Sequence, residues 1–236
     1  MRAPSLKEYR TQLRKAWRKA RHSLGEDSIH DLRVAARRVA ASLLLLESVV
    51  GEDRSSKARR GVKRLTKKLG PLRDIQVQIR IVRTWRRTIK IQRFENSLAR
   101  AERQESNRVR DYLSQRRQKR ILEQLKDFEK DTATQLKDTM QATIQRRLQS
   151  ALSVQRIDLE AARRAMAPSD PSSLHTVRRA ARKLRYCLEA AMETATVRQS
   201  ELQRLRSFQT DFGNKRDQQL LASKFEEWQR KGLRVG

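Results

Sequence analysis

Ser28-Ile29-His30-Asp31-Leu32-Arg33-Val34-Ala35-Ala36-Arg37-Arg38 and Ser173-Leu174-His175-Thr176-Val177-Arg178-Arg179-Ala180-Ala181-Arg182-Lys183 are one pattern written twice, 145 residues apart. Ser, His, the Arg three after the His, the Ala pair and two basic residues fall in the same register. His, Arg and Arg run i, i+3, i+7, which stacks them on one face of a helix. In the second copy Arg185 extends the row, and His175, Arg178, Arg182 and Arg185 fall within an arc of roughly 80° at about 100° per residue. Beside each row lies an apolar seam. Leu32, Ala36, Val39, Leu43, Leu46 and Val50 form the first, and Val177, Ala181, Leu184, Leu188 and Ala191 the second. Such spacing is that of a bundle helix with one apolar and one cationic face.

The remaining chain is helical in the same way. Leu6, Tyr9, Leu13, Ala16 and Ala20 predict a first helix from about Pro4 to His22. Gly25-Glu26-Asp27-Ser28 breaks it, with Ser28 as N-cap and Asp31 as its capping-box partner. Gly51-Glu52-Asp53 ends the first His helix, and a strongly basic helix follows to Leu69. Gly70-Pro71 turns the chain into a helix striped by Ile75, Ile79, Val82 and Ile89. From Leu72 to Ala167 there is neither Gly nor Pro, which favours long helices. Arg103–Arg120 is poor in apolar residues, and a hinge or helix end is expected there. Pro168-Ser169-Asp170-Pro171 is the clearest break. Phe208 to Asp217 echoes Leu65 to Asp74, so a second corner is expected at Gly213, with a last helix ending near Trp228.

Charge follows the repeats. The chain carries 56 Lys and Arg against 27 Asp and Glu, a net +29, and is 37% hydrophobic. Residues 1–94 hold net +18, residues 95–170 net +4 and residues 171–236 net +7. Self-repulsion on this scale calls for a polyanionic partner. The bias toward Arg favours bidentate contact with phosphate oxygens. Three His and one Cys show no metal-ligand spacing, so no metal and no cofactor is expected. The lone Cys187 suits a reducing compartment, and no apolar run spans a membrane, so a cytoplasmic protein is expected. Neither a Gly-rich phosphate loop nor a Gly-x-Ser-x-Gly motif is present, which argues against an enzyme.

The pattern His30-x-x-Arg33-Val34-x-x-Arg37-Arg38, then Leu69-Gly70-x-x-Arg73-Asp74, then His175-x-x-Arg178-x-x-x-Arg182-Lys183-Leu184-Arg185-Tyr186 resembles the CHAD family, the conserved-histidine α-helical domain. The likeness covers almost the whole chain. It implies an all-α fold of two antiparallel bundles, about four long helices each, related by a pseudo-two-fold internal repeat. The halves would be 1–94 and 95–236, the latter with mixed-charge helices over 95–167 and the second repeat over 171–236. It also implies a basic cleft between the halves that binds inorganic polyphosphate. Family members are often joined to a triphosphatase domain of the CYTH type, whose Glu-x-Glu-x-Lys signature this sequence lacks. Two departures stand out: Val39-Ala40 where the second copy has Leu184-Arg185, and Phe212-Gly213-Asn214 at the second corner.

Facing rows would form a trough for a chain of phosphates, with each His in the first helical turn, where free amides attract anions. The candidate polyphosphate-binding residues are His30, Arg33, Arg37, Arg38, Lys63, Lys67, Arg73, His175, Arg178, Arg182, Lys183, Arg185 and Arg216. The histidines are open between phosphate contact and capping or packing. Lys63 and Lys67 are open between trough and solvent. Asp74 and Asp217 suit an N-cap or an Arg anchor. The alternative partner is nucleic acid, which the charge fits equally well, although aromatics are only 5% and no stacking platform is evident. A third reading is an adaptor at polyphosphate granules that uses the mixed-charge middle.

Overall fold

The computed structural model describes residues 6–50, 55–137, 139–167, 170–192 and 197–232, with the side chains at 171, 210–217, 219–220 and 231–232 excepted. The expected helix end at Gly51–Asp53 therefore lies outside the described residues, as does the Arg216 side chain. Among the described residues all regular structure is helical. In order the helices are α1 (Leu6–His22), α2 (Glu26–Val50), α3 (Ser56–Lys68), α4 (Gly70–Val82), α5 (Ile89–Tyr112), α6 (Gln115–Lys137), α7 (Gln141–Arg164), α8 (Pro171–Ala191) and α9 (Gln199–Gly232).

Both predicted seams are buried, apart from the partly exposed Val50. Leu32, Ala36, Val39, Leu43 and Leu46 enter a cluster with Leu13 and Trp17 of α1, Val62 and Leu65 of α3, and Leu125 and Phe128 of α6. Val177, Ala181, Leu184 and Leu188 enter a second cluster with Leu148 and Leu152 of α7 and Leu202 and Leu205 of α9. A third joins Ile75 and Ile79 of α4 and Phe94 of α5 to Leu221, Phe225 and Trp228 of α9. The clusters do not divide at residue 94, because α6 packs into the first. α2 has more than one apolar face: Ala41, Leu45 and Val49 join the second cluster. That second face lets α2 lie directly against α8.

Four local expectations are corrected. Ser28 is not a cap: α2 starts two residues earlier at Glu26, Ser28 is buried inside it, and Asp31 pairs with Lys19 at 2.8 Å. Ile89 is no part of the α4 stripe: α4 ends at Val82, and Ile89 starts α5 fully outside the core. Asp74 does not cap α4, whose N-cap position is Leu69. The corner expected at Gly213 is absent, and α9 runs through it. The physical difference is proline. At Gly70-Pro71 the ring at the start of α4 removes an N–H and ends the preceding helix. Gly213 is followed by Asn214, and a lone glycine costs a helix only about 1 kcal/mol.

Candidate functional site

The close packing of α2 on α8 brings both histidines to one cleft. Each His is the fifth residue of its helix, one turn deeper than the sequence suggests. At the α8 entrance the Asp170 carboxylate accepts from the amides of Ser172 and Ser173 at 2.8 and 3.1 Å. Those amides are therefore occupied, and anion attraction here rests on side chains.

A cleft of about 560 Å³ opens where α2, α4, α8 and α9 meet. His30, Arg33 and Arg37 line it from α2, and His175, Arg178, Arg179 and Arg182 from α8. Arg73, Asp74, Val77, Gln78 and Arg80 come from α4, and Gln209 from α9. Among the described residues, seven arginines thus share the walls with one carboxylate.

Three of these cations, Arg33, Arg178 and Arg182, are largely held out of water, and they stand close enough to other arginines to feel their repulsion. Arg178 is 9% exposed. Burial, and then the charge of Arg37, bring the Arg33 pKa down to about 10. Arg182 is likewise down to about 10, first from burial, then from Arg37 across the helix pair and from Arg178 one turn back on α8. The Arg33 guanidinium donates to the Thr66 carbonyl at 3.2 Å. A Cβ on Gly70 would stand 3.4 Å from its Nη1, in ordinary van der Waals contact. Glu26 anchors the α4 side, accepting from Arg73 at 2.8 Å and pairing with Arg80 at 3.3 Å. Partial desolvation, and then the charge of Arg73, lower the His30 pKa below its ordinary value, so the ring favours its neutral form. The Gln209 amide nitrogen is buried with no hydrogen-bond partner, a donor still available to an anion.

The CHAD domain family model matches residues 5–226. The chain belongs to the CHAD family. A crystal structure of the CHAD domain from the plant Ricinus communis superposes with a TM-score of 0.77 at 18% identity, covering 96% of this chain and 77% of that one. At that identity the likeness concerns the fold. No curated protein matches the sequence.

This CHAD domain brings together His30, Arg33, Arg37, Arg73, His175, Arg178 and Arg182 of the sequence candidates. Five others are elsewhere. Arg38 donates to Gln12 at 3.3 Å and pairs with Glu189 at 3.8 Å. Arg185 pairs with Glu189 at 3.4 Å and lies 4.3 Å over the Tyr186 ring. Lys183 pairs with Asp158 at 3.5 Å. Lys63 and Lys67 are exposed on α3, outside the cleft lining. Two cleft arginines are absent from the sequence candidates, although their spacing could have found them. Arg179 is i+4 from His175, and Arg80 is i+7 from Arg73.

Proposed function

We propose that this CHAD domain binds inorganic polyphosphate in the cleft and performs no chemistry on it. The observation that carries the reading is the meeting, among the described residues, of seven arginines with one carboxylate in a single cleft. A polyanion with one charge or more per phosphate neutralises them in sequence, each guanidinium forking onto two oxygens. The desolvation of Arg33 and Arg182 makes each such contact stronger than it would be in water. Among the described residues the lining offers charge and donors, with no hydroxyl or thiol to act as a nucleophile and no paired carboxylates to hold a metal. Asp74 supports the charge on Arg33. No described helix is long and apolar enough to cross a membrane. The setting proposed is the cytoplasm, at polyphosphate granules.

Nucleic acid is the competing partner, and competition separates the two. Long polyphosphate at matched charge is expected to displace duplex DNA, while DNA fails to displace polyphosphate. A logarithmic salt slope of several units is expected for polyphosphate, as bound counterions are released. Equal displacement in both directions would transfer the reading to a general polyanion surface.

A further inference from the structure

A second basic concavity lies away from the cleft and shares no lining residue with it. It is a pocket of about 410 Å³ between α3 and the α5–α6 junction. Lys57, Arg60 and Arg64 line it from α3, and Arg117, Arg120 and Gln124 from α6. Each trio runs i, i+3, i+7, the spacing of the His-Arg rows themselves. Among the described residues no carboxylate lines this pocket.

Three features show it to be built rather than a chance meeting of exposed side chains. Gly61 lets the two rows approach: a Cβ there would stand 3.1 Å from Ile121 Cγ1 and 3.5 Å from Gln124 Oε1. A larger residue would press α6 away from α3. Arg117 is fixed in place. Its guanidinium donates to the Asp111 and Tyr112 carbonyls, both at 3.1 Å, and its charge sits 4.8 Å over the Tyr112 ring. The half-buried Tyr112 phenol then faces Arg117, Arg64 and Arg120 together, whose charges oppose the rise in its pKa that burial causes.

We propose that this pocket is a second anion site, for a compact ligand carrying two or more adjacent phosphoryl groups. Five cations within so small a volume demand several charges close together, which a single phosphate does not bring. Arginine forks and the fixed Arg117–Tyr112 stack favour phosphoryl oxygens over a diffuse counterion cloud. The site stands whether or not the cleft takes polyphosphate, because its walls are separate.

The test uses the full chain with the cleft disabled by Arg33→Gln, Arg178→Gln and Arg182→Gln. Calorimetric titration with inorganic tripolyphosphate, and in parallel with ATP, is expected to show one remaining site. Adding Arg60→Gln, Arg64→Gln and Arg120→Gln, all on exposed side chains, is expected to weaken it at least about tenfold. Helix content checks that the fold is kept, and Arg64→Gln alone is expected to weaken binding several-fold. Tighter ATP binding assigns the ligand to nucleotides, while equal binding assigns it to free oligophosphate. The proposal is overturned if the cleft-disabled chain binds neither probe. It is also overturned if Arg103→Gln, Arg108→Gln and Arg110→Gln on α5 weaken binding as much. Failure of the cleft reading shows separately, as unchanged long-polyphosphate affinity after the three cleft substitutions.

Discussion

Arg182 and Arg185 lie one turn apart on α8, in the same predicted row, yet they serve different ends. Arg185 has a built-in counterion: the Glu189 carboxylate, only 10% exposed, also pairs with Arg38 and with Arg206 at 3.3 Å. Arg182 instead faces Arg37 and Arg178, and its pKa is lowered by burial and by their repulsion. The difference is one acid placed at i+4. Where the chain supplies its own anion, a cation row is part of the scaffold. Where the neighbours of a cation are other cations, as at Arg182, an anion from outside relieves the repulsion.

The largest expected effect tests that contrast directly. Arg33→Gln, Arg37→Gln, Arg178→Gln and Arg182→Gln together are expected to weaken polyphosphate binding at least about a thousandfold, from about 1.5–3 kcal/mol per charged hydrogen bond less non-additivity. Arg103→Gln, Arg108→Gln, Arg110→Gln and Arg116→Gln should change it only a few-fold. Equal loss from both sets, by calorimetry at fixed salt, would reduce the cleft to diffuse charge. The counterpart is Glu189→Ala, expected to cost about 2 kcal/mol of stability because it removes the carboxylate that partly buried Arg185 shares with Arg38 and Arg206. Polyphosphate affinity of the folded variant should barely move. A denaturant melt and a binding isotherm on the same sample read both quantities.

Filling the cleft should relieve its repulsion. At a hundredfold excess over Kd, polyphosphate is expected to add about 2.7 kcal/mol. For a chain of this length that raises Tm by roughly 5–10 °C, and the four-Gln cleft variant should show almost none of it. The smallest effect concerns His30. Its lowered pKa means the unfolded chain holds more protons between pH 6.5 and the folded value. The empty protein therefore loses stability as pH falls through that window, and the loss stops growing below it. Arg73 and Arg37 oppose the proton while Asp31 and Glu26 favour it. A bound polyanion shifts the balance toward protonation, so affinity is expected to rise a few-fold from pH 8 to pH 6. His30→Gln should flatten that dependence.

The sequence carried the helices and the cleft's core membership because both repeats hold seam and row in fixed register. It misplaced Arg38, Lys183 and Arg185 because a row on one helix does not reveal which acids its neighbours bring. Asp158 lies on α7, and Glu189 is one turn on, its side chain only 10% exposed. Arg80 went unseen because, past Arg73 and Asp74 at its start, α4 shows only an apolar stripe, and α4 meets the cleft only after the Gly70-Pro71 turn. The α3–α6 pocket needed the close approach at Gly61, which no spacing along a single segment encodes.

One feature of α2 bears on how the molecule comes apart. Its Leu32 side belongs to one buried cluster and its Leu45 side to another. Neither cluster can be dismantled without baring apolar surface in the other, so melting is expected to be a single cooperative event. Cutting the chain at residue 94 would leave two fragments, neither with an intact interior of its own.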